Sequence, residues 1–542
     1  MNRITSAGGA RRDSLSTPGV VRRVSRRTGA DVGAPVTTGV ILNNVSTGPQ
    51  QPPPVPQATT TPPLSALRGD GSSLTASVVP SLPADFHAPL FVSELPALSG
   101  SDTRSHMLLS SLSHDPVWIG SHTGEGLRRV VWLGLSDHES QERHLSSYRP
   151  LAWRLLVGWA PAAASLRQRD TRRKRAEYME YAATYGSCFA SHHVSAASGL
   201  PRWNNADLDL ESQERAIVKQ LELDLPRHTA AMFHMPELAR RLGRALFIWS
   251  VRHPAAGFVQ GMDDLFAVFY FLFLEEAIAW AMSDTAPVAL TGGQSLPTIV
   301  TTTRSPLPSP CAWTCNRASL EVVAARWTPA ALDDVEADTY WCAGKVLGWV
   351  QDHYTYAQPG VRRTAALLLA VLEAYCAEVV ASLRQLTEAT GGGPVDLFLP
   401  WIHCFLVREL GPSLSLRLWD TYLSIGEGFA QFHACVCAAI IVSIRSAIVD
   451  QPLDVVLAAV KAPLAHALRI AASRGAAVAL PANFSPLTIG TDAAEAAAAE
   501  VATDLPSTNA NAVSVAAFDW LEGVIALAYM IHARHAPMRV VV

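Results

Sequence analysis

This 542-residue sequence carries none of the short signatures of a self-contained catalyst. A Walker-type phosphate loop, a Gly-x-Ser-x-Gly elbow, a His-Glu-x-x-His pair and the kinase motif set are all missing, which removes the commonest routes to nucleotide binding and nucleophile activation. Charge is scarce too. Charged residues make up 17% of the chain, against roughly 25% in ordinary soluble domains, and a net charge of −4 gives no basic field for nucleic acid. Eight cysteines at irregular spacing exclude a disulfide scaffold and suit a reducing compartment. Cys311-x3-Cys315 and Cys435-x-Cys437 lack a second pair at zinc spacing, so no metal is expected. His403 and Cys404 are adjacent, and helical neighbours point away from each other, so they are expected as core residues rather than a nucleophile and its base.

Long apolar runs are also missing. Leu265 to Leu274 is interrupted by Glu275 and Glu276, well short of the ~18 residues a spanning helix needs. Ala434 to Ile444 stops at Arg445, and the N-terminus has no secretory apolar region, so no transmembrane segment is expected. The N-terminus does hold Arg3, Arg11, Arg12, Arg22, Arg23, Arg26 and Arg27 against one acid, Asp13. That bias allows a mitochondrial transit peptide, but scattered Gly and Pro18 favour a disordered basic arm. Arg11-Arg-Asp-Ser14 and Arg22-Arg-Val-Ser25 match a basic-directed kinase preference.

What is present is apolar. Hydrophobic residues are 49% of the chain and tryptophans number 14, ample for a large core. Residues 1–104 are expected to be disordered, because the prolines between Pro49 and Pro96 sit among Ser, Thr, Gln and Ala and bury too little to offset ordering entropy. From about Leu127 the periodicity is helical. Leu238, Leu242, Ala245, Leu246 and Trp249 mark one helix face; Leu368, Leu372, Tyr375, Val379 and Leu383 mark another. Trp401, Phe405 and Glu409 continue the pattern after Pro400, which suits a first helical turn. Alternating patterns are nearly absent, so the expected class is all-α. Low-complexity stretches at about 283–330 and 475–511 are expected as insertions, the second before a final helix around Ser514 to His535.

Two segments hold the candidate chemistry. In Leu221-Glu-Leu-Asp224-Leu-Pro226-Arg227-His228, Asp224 lies three residues before Arg227 and can orient its guanidinium, and Pro226 is expected to hold Leu225 extended. In Gly257-Phe258-Val259-Gln260-Gly261-Met262-Asp263-Asp264, two glycines bracket Gln260 and free its backbone for close approach to another surface. Taken singly, the first reads as a surface salt bridge and the second as a turn.

With Arg149-Pro-Leu-Ala-Trp153 upstream, and Trp341-Cys342, Tyr354-x4-Pro359-Gly360, Trp401, Arg408-Glu409 and Arg417-Leu-Trp419-Asp420-Thr-Tyr422 downstream, the chain resembles the TBC domain of Rab GTPase-activating proteins over roughly Leu127 to Ile448. The resemblance continues to Trp520, Leu521, Tyr529 and Ala536-Pro537 as an extended tail. Phe247-Ile-Trp249-x-Val-Arg252-His253-Pro254 looks closest to the Golgi-associated branch.

The resemblance implies a two-lobed helical TBC domain over 105–542, with Arg227 and Gln260 side by side. It assigns Arg227 the role of a finger inserted beside GTP, and Gln260 that of orienting the attacking water. Asp224 would hold the guanidinium, Arg149 and Trp153 would buttress the loop, and Gly257, Phe258, Gly261 and Asp264 would support GTPase binding. It implies no cofactor of its own, since GTP and Mg²⁺ arrive with the Rab partner. It also implies no nucleic acid, a cytoplasmic location, and peripheral association with Golgi membranes through partners only.

Four positions depart from the family. Phe258 stands for the usual Tyr, His228 for Thr, Asp263 for Asn, and Pro400 for an Arg. Asp263 is expected to place a carboxylate unhelpfully near the incoming phosphate. A catalytically silent scaffold that binds a Rab as an effector is the rival reading, and the presence of Arg227 and Gln260 argues against it.

Overall fold

The protein is described from a computed structural model. It covers residues 88–95, 103–113, 123–135, 145–189, 192–194, 201–203, 210–228, 231–281, 328–388, 391–473 and 507–535. Ser14, Ser25, Cys311, Cys315 and most of both expected insertions lie outside these residues.

The fold is all-α. The first helices are α1 (Thr103–Ser113), α2 (Thr123–Trp132), α3 (Leu145–Leu156) and α4 (Ala164–Tyr185). A short antiparallel hairpin follows, β1 (His192–Val194) with β2 (Pro201–Trp203), pairing His193 with Arg202. Then come α5 (Ser212–Asp224), α6 (Pro236–Arg252), α7 (Met262–Ala281) and α8 (Pro329–Trp349). The chain continues through α9 (Pro359–Tyr375), α10 (Ala377–Glu388), α11 (Leu399–Cys404) and α12 (Val407–Ile425). It closes with α13 (Phe429–Ser443), α14 (Leu453–Lys461), α15 (Pro463–Ser473) and α16 (Ser507–His535).

Two groups of helices form around two apolar axes. On one side α7 packs against α8, α6 and α3; on the other α13 packs against α16, α9 and α12. The groups meet where α7 touches α12 and α11. The run Leu265 to Leu274 is buried throughout, which is why it reads as apolar on every face. The α6 face expected from Leu238 to Trp249 is buried as well.

Buried arginines tie the first group together. Arg154 forks onto both Glu276 oxygens at 2.9 and 2.5 Å and reaches Asp338 at 2.8 Å, while Arg175 shares Asp338 at 2.7 Å. Arg241 and Arg244 converge on Glu336 in the same way. Each charge is matched, as burial demands.

Several expectations shift. The packed body reaches further toward the N-terminus than the boundary at 104, because Ala88 and Leu90 are buried and the Leu90 carbonyl accepts Arg167 at 3.3 Å. The final helix starts at Ser507, inside the stretch expected as an insertion. The helix expected across Leu368 to Leu383 breaks at Cys376 (φ −147°) into α9 and α10. Pro400 does open α11, but the pattern from Trp401 to Glu409 is not one helix. Phe405 and Leu406 both take left-handed conformations (φ 49° and 63°), at a cost of about 1–2 kcal/mol each. The kink buries Phe405 against Trp419, Phe429 and His433. Trp153, Trp401 and Trp419 are core residues; Trp341 is only half-buried, its indole donating to the Lys174 carbonyl at 2.9 Å.

Val515–His535 within α16 is long enough to cross a membrane, with mean hydropathy 1.3. Its inward stripe of Leu521, Val524, Ala528 and Ile531 instead packs on the core, and its Glu522 receives the buried Arg417.

Arg149 and Trp153, expected to buttress the arginine loop, both bond Asp420 on α12. Arg149 donates to Asp420 through Nε at 3.0 Å and Nη2 at 3.0 Å, and the Trp153 indole donates to the same carboxylate at 2.7 Å. The Leu135 amide adds a fourth donor at 2.7 Å. This joint locks α3 and the end of α2 onto α12. Asp420→Ala removes the carboxylate that neutralises buried Arg149, and the expected loss is about 3–5 kcal/mol of unfolding free energy. Urea denaturation followed by circular dichroism measures it; a loss below about 1 kcal/mol contradicts this account of the joint.

Candidate functional site

The arginine turn grows out of α5. Helical geometry runs through Asp224 and tightens into a 3₁₀ turn over Leu225–Arg227, with Pro226 in its first positions. Leu225 is therefore helical (φ −58°, ψ −42°) rather than extended. Its side chain is 1% exposed, and this anchoring overrides the usual bias of a residue before proline. The turn projects Arg227 outward, with 66% of its side chain exposed, while Asp224 beneath it is 2% exposed. Asp224 accepts Arg227 Nη1 at 3.1 Å and the Gln220 amide at 2.7 Å. Burial pushes the Asp224 carboxyl above its ordinary value, offset in part by Gln220 and Arg227.

The glutamine turn lies between α6 and α7. His253 caps α6, and its carbonyl accepts the Gly257 amide at 2.9 Å. Gly257 (φ 60°) and Gly261 (φ 98°) both need the left-handed region. Phe258 is half-buried against the core and Gln260 is exposed. Gly261 lies against the end of α11: a Cβ there would sit 3.1 Å from the His403 carbonyl oxygen, the atom that also accepts Tyr354 Oη at 3.0 Å.

The two turns meet at the start of α7. Asp263 is fully buried; one oxygen accepts the Gly261 amide at 2.8 Å and the other meets His228 Nε2 at 2.8 Å. Residues adjacent to Arg227 and to Gln260 thus share one carboxylate. Asp264 beside it is also buried and is forked by Arg408 Nε at 2.9 and 2.8 Å. The helix N-terminus favours negative charge at both positions. Burial opposes ionisation of Asp263, but the His228 hydrogen bond and the charges of His228 and Arg408 hold it down at about 2. Asp264 is raised instead, by burial and then by Asp263.

Asp263 consequently faces inward, not toward an incoming phosphate. The carboxylate expected to oppose a phosphate is occupied by the loop's own donors, the Gly261 amide and His228. His228, Asp263 and Asp264 lie close enough together to share a cation, but Arg408 and His228 already meet their charge. His403 and Cys404 are not a nucleophile pair: burial pushes the thiol well above its ordinary value.

The structure thus pairs Arg227 with Asp224 and joins the turn that carries Arg227 to the turn of Gly257, Phe258, Gln260 and Gly261 through His228 and Asp263, with Asp264 beside them, while Arg149 and Trp153 bond Asp420. Sequence reasoning missed the roles of Arg408 and His228. Arg408 was visible only as a motif residue, because the left-handed pair before it, which aims it at Asp264, leaves no local signature.

Residues 146–286 and 322–449 match the Rab-GTPase-TBC domain. The chain belongs to this family. Both turns lie in the first matched segment of the TBC domain, and the gap between segments falls within the insertion expected at 283–330. The tail resemblance expected at α16 lies beyond the match. The chain is similar to "GTPase-activating protein gyp1" of Schizosaccharomyces pombe, 31% identical over 319 residues, covering 58% of this chain and 49% of that protein. It is also similar to mouse "TBC1 domain family member 22A", 29% identical over 329 residues, covering 60% and 50%. The chain thus spans about half the length of the curated relatives it matches. The crystal structure of the Ypt/Rab-GAP domain of Gyp1p aligns with TM-score 0.47 and 20% identity, covering 78% of this chain and 99% of that one.

The glycines of the TBC domain's glutamine turn differ in what they tolerate. Gly257→Ala meets open space and carries only the left-handed strain of about 1–2 kcal/mol, whereas Gly261→Ala adds a close approach to backbone. Thermal unfolding of both variants should show the larger drop in Tm for Gly261→Ala; equal drops contradict the packing described here.

Proposed function

We propose that this TBC domain accelerates GTP hydrolysis by a Rab-family GTPase, supplying Arg227 and Gln260 in trans. The observation that carries the reading is the shared anchor. An exposed guanidinium, steadied from below by Asp224, rises from a turn joined through His228 and Asp263 to the turn bearing exposed Gln260. Gln260 is exposed, and Arg227 keeps 66% of its side chain exposed while it pairs with buried Asp224, so both polar groups are available to a partner.

Phosphoryl transfer from GTP asks little covalent chemistry of a protein. It needs a positioned water and compensation for charge on the transferring group. Arg227 supplies the positive charge where that charge develops, and Gln260 supplies an amide that can accept from the attacking water and donate to a phosphate oxygen. GTP and Mg²⁺ come with the partner, in keeping with a chain that carries no phosphate loop. The Rab target would draw the protein to the cytoplasmic face of Golgi membranes as a peripheral component.

Single-turnover hydrolysis across a panel of GTP-loaded Rab proteins tests the reading. At least one Rab should be strongly stimulated, and Arg227→Ala should lose on the order of 10³-fold or more of that stimulation. Gln260→Ala should be nearly as damaging, since both groups act on one transition state. A target whose own switch Gln is changed to Leu should still respond. A Gln260→Ala protein that binds its Rab and stimulates at close to the wild-type rate would refute the glutamine's role. Tight binding with no stimulation of any Rab would instead support a silent scaffold.

A further inference from the structure

We propose that His228 is a positioning residue for GTPase activation, holding the Arg227 turn and the Gln260 turn in register by bridging to Asp263. The proposal rests on the two-finger reading above and adds what sets the spacing between the fingers.

The geometry is specific. His228 directly follows Arg227, and its amide closes the 3₁₀ turn onto the Leu225 carbonyl at 3.2 Å. Its ring is held against Phe233, with centroids 4.3 Å apart, so the imidazole has a fixed direction. Nε2 meets Asp263 Oδ2 at 2.8 Å, and Asp263 Oδ1 accepts the Gly261 amide at 2.8 Å. The path from one finger to the other therefore crosses one side chain on each turn and two short hydrogen bonds. Among the described residues, no other hydrogen bond joins residues 225–228 to residues 257–263.

The charge balance favours the protonated imidazole. Three buried carboxylates, Asp224, Asp263 and Asp264, face two arginines, Arg227 and Arg408; His228 supplies the third positive charge. The groups facing His228 are Asp263 and Asp264 on α7 and Arg408 on α12, with Nδ1 3.8 Å from Asp264 Oδ1. Glu409 on α12 and Cys404 on α11 flank Asp264. Burial lowers the His228 pKa, but the Asp263 hydrogen bond and the charges of Asp264 and Asp263 outweigh it and leave the value raised above 6.5. A raised folded-state pKa means that the charged bridge is fully present below about 6.5 and is lost as pH rises through the higher folded value. Activation should therefore carry an alkaline limb that belongs to His228.

The test uses the full chain and a responsive Rab, measuring the hydrolysis rate at saturating activator and the half-saturating concentration across pH. His228→Ala should lower the saturated rate by roughly 10- to 100-fold, the scale of about 1 Å of misplacement, with half-saturation shifted less than about twofold. His228→Gln keeps an amide donor at similar reach; it should recover most of the rate and flatten the alkaline limb. Asp263→Asn combined with His228→Ala should cost little more than His228→Ala alone, because both changes act on one bridge.

An unchanged saturated rate in folded His228→Ala, with Arg227→Ala inactive, overturns the positioning role and leaves the finger reading standing. Full activity in both Arg227→Ala and Gln260→Ala overturns both. If His228→Ala does not fold, His228→Gln decides: an alkaline limb identical to wild type overturns the proposal, and a flattened one supports it.

Discussion

A carboxylate withdrawn from water must find donors, and at Asp263 those donors come from two different loops. Gly261 supplies a backbone amide and His228 a ring nitrogen, so satisfying one buried side chain closes one turn onto the other. The rest of the site follows from this constraint. α7 must begin where it does for Asp263 to reach back to Gly261, and Gly261 must be glycine because its left-handed backbone presses on the His403 carbonyl. Asp264, turned the other way, needs Arg408, and Arg408 reaches it only because Phe405 and Leu406 break the helix before α12.

The buried ionic joints divide into two kinds. Asp420, Glu336 and Asp338 each gather several donors deep in the core and hold helices together, so removing any one costs stability. Asp224 has one buried partner side and one exposed one. It steadies Arg227 without withdrawing it, leaving the guanidinium free to exchange solvent for another acceptor. Those two outcomes, an arginine consumed by the core and an arginine offered outward, distinguish Arg149 from Arg227, although both stand in segments that resemble the family.

Local information was legible in the sequence, whereas long-range pairing was not. The α6 face from Leu238 to Trp249, the Asp224–Arg227 spacing and the glycines around Gln260 all act within one or two turns, and each stands where the pattern put it. The partner of Arg149 lies on α12, far along the chain, and no periodicity identifies it. Leu225 misled for a related reason: the proline rule is local, and burial of the leucine overrules it. The helix breaks at Cys376 and Phe405 were also hidden, because the apolar spacing continues across them while the backbone does not.

The pairing of His228 with Asp263 explains how the site carries an acid at a position the family usually fills with Asn. At 4 Å an unpaired carboxylate would oppose a phosphate by about 1 kcal/mol in water and about 4 kcal/mol near a protein surface. Here the charge is met from within, by His228 directly and by Arg408 at 3.8 Å, so an anion approaching from outside meets Arg227 first. The two departures, His228 and Asp263, therefore compensate each other. Either one alone would leave an uncompensated group in a buried site: an imidazole without its acceptor, or a carboxylate without its cation. Together they form a bond that leaves Arg227 and Gln260 exposed and ties the turns that carry them to each other.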